Sequence, residues 1–231
     1  MSEIQTKILE AKDFRIARSG ILPPKFAPGG QSTQMIVGAT PSSDRQILAT
    51  SNGLYKKFGL KRVYYSAFSP IPDSDPNLPL KSPPLIREHR LYQADWLLRF
   101  YGFKVAELTE EAAPNLDLEM DPKTAWAIRH RAFFPVDVNI ADRETLLRVP
   151  GFGVRTVERI IQIRRFRKLR MEDLKKMHVP LQRAKYFVVA ADSNQSAHSI
   201  DETRLELFVK SKAPEQLQLF ESVQAARTGE L

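Results

Sequence analysis

Residues 146–165 read LLRVPGFGVRTVERIIQIRR. A proline and two glycines are gathered around one phenylalanine, and a helical pattern dense in arginine follows at once. Glycine reaches backbone angles that other residues resist, so successive N–H groups at Gly151 and Gly153 can turn outward into one concavity. The helix predicted from Val154 opens at that concavity and adds its first free N–H groups and the positive end of its dipole. Val149, Pro150 and Phe152 hold the turn, with Phe152 as its plug into the core. Val154, Val157, Ile160 and Ile161 make the inward face. Arg155 and Arg159, one turn apart, stand on the outward face, with Thr156 beside them. Arg164, Arg165, Arg167, Lys168 and Arg170 extend the charge. Together these features describe an anion site.

The charge of the chain is concentrated around that stretch. Across 231 residues the formal balance is +8. Residues 131–190 hold fourteen basic and six acidic side chains, which equals the whole excess, while residues 1–130 stand at +3 and 191–231 at −3. A basic excess packed into sixty residues points to a polyanion partner. Apolar residues make up 42% and charged residues 27%, ordinary proportions for a globular chain. No apolar run approaches the roughly 18–20 residues of a spanning helix, so no membrane role is expected. The start, MSEIQTKILEAKDF, lacks an apolar signal core, and a cytoplasmic location is expected. There is no cysteine, which excludes disulfides, thiolate zinc sites and cysteine-held iron–sulfur clusters within this chain.

Ahead of this stretch the chain reads as α/β. TQMIVGA (33–39) predicts a buried strand, and TPSSDRQILATSNGLYKKFG a helix capped by Ser42 or Ser43, with Ile47, Leu48, Leu54 and Phe58 inward and Gly59 at its exit. KRVYYSAF (61–68) predicts a second strand, parallel to the first. Two strands leave both edges unpaired, so this segment reads as part of something larger. A proline-rich loop (69–84) leads to a helix with Leu91, Ala94, Leu98 and Tyr101 on one face. A further helix is expected around 121–134, with Asp121 as its cap. Trp96 and Trp126 are read as core, and residues 135–190 as wholly helical. Arg87, Glu88, His89 and Arg90 fit either a pocket or a polar helix start. The four histidines, at 89, 130, 178 and 198, show no metal-ligand spacing.

Leu146, Val149, Pro150, Gly151, Phe152, Gly153, Val157 and Ile160 match the helix-hairpin-helix pattern, with Val157 where the pattern usually has alanine. That motif grips nucleic-acid phosphates without reading sequence. The alternative is a Pro-Gly turn between two ordinary surface helices. The lead-in VDVNIADRETLL resembles that of competence DNA receptors. FRKLRMEDLKKMHVPLQRAKYF (166–187) resembles their second hairpin in degenerate form, with His178, Val179 and Pro180 replacing the glycine turn; it is expected to pack against the first hairpin. GGQSTQMIVGATPSSDRQIL, LKRVYYSAFSPIP, PPLIREHRLYQADWLLRFYGF and FFPVDVNIADRETLLRVPGFG resemble, in order over about residues 20–190, the C-terminal half of a bacterial family of radical S-adenosylmethionine proteins associated with DNA modification or repair. The resemblance implies an α/β fragment (1–112) carrying the last strand–helix–strand units of a radical-type barrel and an all-α helix-hairpin-helix region (113–190); the polar, acidic composition of residues 191–231 reads as a flexible tail with at most one short helix. The resemblance also implies S-adenosylmethionine, a four-iron cluster and a uracil-DNA-glycosylase-like partner.

The family's three cluster cysteines are missing, so cofactor and cluster would have to come with a separate barrel half. Either this chain is half of a split enzyme, or it is a stand-alone binding module for DNA or RNA. Under the family reading Gln31, Ser32, Thr33, Gln34, Thr40 and Asp44 lie at the barrel mouth; the alternative is that they cap a strand and a helix. In the tail, Gln216, Leu217, Leu219 and Phe220 resemble the peptide by which bacterial repair proteins bind the sliding clamp. The other reading of that peptide is a short helix packing back on the body.

Overall fold

The apolar run at 33–39 and the aromatic run at 61–68 do become strands. In the computed structural model, which describes residues 1–17, 26–71 and 75–193, β1 (Ser32–Val37) pairs in parallel with β2 (Arg62–Ala67), Ser32 opposite Arg62 and Val37 opposite Ala67. The chain is mixed α and β with helix predominating, and among the described residues it has two small parallel sheets. It divides into two compact units, Met1–Trp126 and Ala127–Leu231.

In the first unit, α1 (Ser2–Ala17) precedes β1. The crossover is α2 (Asp44–Phe58), and of the two candidate serines Ser43 caps it, in a reciprocal capping box with Gln46. Gly59 closes it at φ +59, the left-handed position that glycine occupies without strain. α3 (Leu85–Phe100) follows the proline-rich loop. Val37, Leu48, Val63, Tyr65, Leu91 and Ala94 are buried together in this unit's core, each large aliphatic contributing roughly 1.5–3 kcal/mol. α3 buries Leu97 rather than Leu98, a turn of the helix by one residue's 100°. Trp96, expected in the core, is half exposed and packs on Phe100, while Trp126 is buried edge-on against Phe103.

The outer edge of β2 is closed by side chains from the two helices. The N–H of Val63 donates to Tyr55 Oη (3.0 Å), that of Tyr65 to Tyr92 Oη (2.9 Å) and that of Ala67 to Glu88 Oε2 (2.9 Å). Arg99 covers the Lys61 carbonyl at 2.6 Å. The expectation of two unpaired edges is therefore corrected: helix side chains take the donors that a neighbouring strand would otherwise take.

The first unit also runs past residue 112, where sequence reading ends it. α4 (Val105–Leu108) is followed by a loop fastened to the start of α2: Arg45 N–H donates to the Pro114 carbonyl, Asp44 N–H to Asn115 Oδ1, and Leu116 N–H to Asp44 Oδ2. α5 (Pro122–Arg129), capped by Asp121 at Thr124, crosses the boundary between the units.

The second unit contains α6 (Arg143–Arg148), α7 (Val154–Ile163), α8 (Met171–Lys176) and α9 (Leu181–Ala184). It is not wholly helical. β3 (Val136–Asp137) pairs in parallel with β4 (Val188–Val189) and joins the unit's entrance to its exit. Strands of two residues are too short to leave a period-two pattern, which is why sequence reading passes over them. Asn139 fastens the lead-in to the far side of α7, its Oδ1 accepting from Leu169 N–H (2.7 Å) and its Nδ2 donating to the Leu169 carbonyl (3.1 Å).

Candidate nucleic-acid interface

α6 starts at Asp142, whose carboxylate accepts from Thr145 N–H at 2.7 Å; this bond holds the Asp142 carboxyl below its ordinary range. Leu146 and Leu147 fix α6 to the core, and Val149 and Phe152, both almost fully buried, anchor the turn beyond it. Between them Gly151 is exposed at φ +83, and a Cβ built there would lie 2.8 Å from Pro180 Cγ. Gly151 is thus required twice, by its backbone angle and by the close approach of the second turn. Gly153 is different: at φ −91 it has an extended conformation open to any residue, and it caps α7 without a side chain.

The donors at this turn decide what it can hold. Phe152 N–H donates to the Val149 carbonyl. Among the described residues the N–H groups of Gly151, Gly153, Val154, Arg155 and Thr156 have no hydrogen-bond partner. Such a turn leading into a ten-residue helix suits an anion. On α7, Val157 and Ile160 are fully buried and Arg155 and Arg159 are exposed. Among the described residues neither arginine forms an ion pair, nor does exposed Arg165.

Arg164, grouped with the phosphate contacts on sequence grounds, is placed elsewhere. Its Nη1 donates to the carbonyls of Val138 and Ala141, so it fastens the lead-in to the end of α7. Arg167 is held by Asp173 through two 2.7 Å bonds, which keep the Asp173 carboxyl far below its usual range.

The second turn packs on the first through Pro180 and Ala184, as the degenerate motif leads one to expect. It keeps the left-handed residue, His178 at φ +60, although the glycine is gone. Its N–H groups are occupied: His178 donates to the Lys175 carbonyl and Val179 to that of Leu174. No free amide at these two positions is left to receive an anion.

The six barrel-mouth candidates have different surroundings. Strand alternation exposes Ser32 and Gln34 while Thr33 is partly covered, and Gln34 Nε2 donates to Ser66 Oγ across the sheet. Gln31 is buried, with Nε2 toward the Phe58 carbonyl. Thr40 shares a hydrogen bond with Ser42. Asp44 is fully buried, paired with Arg87 at 2.7 Å and accepting from Leu116 N–H, while Arg87 also donates to the Ser42 carbonyl. With Glu88 on Ala67 and Arg90 on the Leu118 carbonyl, the polar start of α3 ties the unit together.

The chain offers no thiolate, and among the described residues no group of three histidine or carboxylate side chains could hold a metal. A four-iron cluster held by cysteines therefore finds no ligand in this chain. No described helix is long and apolar enough to cross a membrane. Gln216, Leu217, Leu219 and Phe220 lie outside the described residues. Comparison with family models, with curated proteins and with solved structures finds no match.

Proposed function

We propose that the second unit binds DNA non-sequence-specifically through backbone phosphates, with α6, its turn and α7 acting as a helix-hairpin-helix. The carrying observation is the group of N–H donors at Gly151, Gly153, Val154, Arg155 and Thr156 that have no hydrogen-bond partner among the described residues, set beside exposed Arg155 and Arg159, which form no ion pair there. One phosphate seats against the amides, and the arginines neutralise its neighbours on the strand. The test is a salt series of affinity for duplex DNA, comparing the native chain with Arg155→Ala/Arg159→Ala. If each arginine neutralises one phosphate, the slope of log K against log salt falls by about 0.9 per arginine removed. Absence of binding at low salt, or an unchanged slope, overturns the reading. An RNA duplex run in parallel distinguishes the nucleic acids.

A second reading is favoured by the first sheet. Among the described residues β1 pairs only with β2, and β2 is sealed on its far side. The sheet can therefore extend only from β1, and Ser32, Gln34, Ile36, Arg62 and Tyr64 lie exposed on one face. A separate barrel half of the radical S-adenosylmethionine type would join there, bringing its own cluster cysteines. Co-purification of this chain with such a subunit, lost when a proline replaces Gln34 on the open strand, is the expected result; retained co-purification with the variant rejects that edge.

A further inference from the structure

The end of α7 presents an aromatic ring to solvent. Phe166 is 89% exposed, within the run Arg164–Arg165–Phe166–Arg167–Lys168, and Ile140 on the neighbouring lead-in loop is 78% exposed. The ring's exposure does not come from a loose loop. Phe166 N–H donates to the Ile163 carbonyl, Arg167 is held on both sides by Asp173, Leu169 is fully buried, and Arg164 and Asn139 fasten the segment to the lead-in. These fastenings hold the backbone on either side of a ring that itself has no aromatic neighbour among the described residues.

The charge around the ring selects its partner. Arg165 and Lys168 are exposed and form no ion pair among the described residues, and Arg155, Arg159, Gln162 and Phe166 recur at nearly one angle around the axis of α7 and its continuation. A protein partner would call for an apolar surround, whereas a ring flanked by cations suits a flat base with phosphates on both sides. The distance is also suitable. Twelve residues separate Val154 from Phe166, about 18 Å along a helix, or roughly five base steps of 3.4 Å.

We infer that Phe166 is a stacking platform for an unpaired base of DNA whose strand is held by the turn and α7. The substrate class is then duplex interrupted by unpaired nucleotides rather than intact duplex. The inference rests on the phosphate-binding reading above. The backbone that carries the ring is fastened in advance, so little backbone ordering is lost when a base arrives.

The experiment measures fluorescence anisotropy with two DNA probes of one sequence, fully paired or with a small bubble holding 2-aminopurine. The chains are native, Phe166→Ala and Phe166→Trp. The native chain is expected to favour the bubble by about fivefold to a hundredfold, the range for one stacked base, and to quench the 2-aminopurine. Phe166→Ala should lose both effects while keeping its affinity for paired DNA, and Phe166→Trp should restore them. A bubble preference that survives in Phe166→Ala, or is absent in the native chain, overturns this inference and leaves phosphate binding standing. Failure to bind either probe at low salt removes both.

Discussion

At Asp95 a buried carboxylate gathers groups from three elements. Tyr55 Oη donates to it at 2.7 Å, Tyr65 Oη lies 3.1 Å away and also 2.8 Å from Ser51 Oγ, and Arg99 stands at 3.5 Å. Burial, followed by the hydrogen bond to Asp95 and its charge, pushes the Tyr55 hydroxyl from 10.0 up to about 12. Burial drives Tyr65 upward in the same way. The unfolded chain releases the Tyr55 proton near pH 10 and the folded chain keeps it to about 12, so the stabilisation is complete below pH 10 and disappears as pH rises through that window. The urea midpoint of the native chain should therefore drop across those two units, with a shallower drop in Tyr55→Phe. Parallel pH profiles for the two chains would assign the alkaline loss to other groups. Individual residues also show where sequence reading stops. Arg164 and Asp44 have the right chemistry for a binding role, yet one points to backbone carbonyls and the other is enclosed by Arg87 and Leu116. Residue type gives the donor or acceptor, and the partner is set by segments 23 to 72 positions away.

The turn between α6 and α7 is the element most legible in the sequence, because each of its constraints is local. Apolar spacing gives the two helices and the glycine-containing turn gives the start of the second. The unequal burden on its glycines is not legible, since it depends on Pro180, which arrives from the second turn. Replacing Gly151 with alanine places a side chain in the left-handed region, at about 1–2 kcal/mol, and crowds Pro180 at 2.8 Å. We expect Gly151→Ala to lower the urea midpoint of the chain relative to the native sequence, followed by circular dichroism. An unaltered midpoint would mean that the turn relaxes without resistance. The Asn139 staple illustrates the opposite case. The lead-in motif VDVNIADRETLL includes that asparagine, but its partner appears only when Leu169 is brought beside it.

For the whole molecule, sequence reading identified the α/β character and the basic second half, because composition and periodicity accumulate over many residues. It missed the closure of that half by β3 and β4 and the extension of the first unit beyond residue 112, both of which are long-range pairings. The sealed strand also has a testable role at this scale. Removing Glu88 and the Tyr92 hydroxyl together, as Glu88→Ala/Tyr92→Phe, strips two β2 amides of their acceptors, each costing roughly 1–3 kcal/mol if left unsatisfied. The double variant should be less stable and should self-associate in a concentration-dependent way by sedimentation. A variant as stable and as dispersed as the native chain would show that water satisfies that edge.

The side-chain ladder on β2 has a consequence for counting. A sheet that accepts a neighbour on one side only is a terminus: once β1 is joined, no further strand can follow on the other flank. Two copies joined through β1 would each turn outward a β2 whose amides Tyr55, Tyr92 and Glu88 already occupy, so such a union would stop at a pair rather than run on into a fibre.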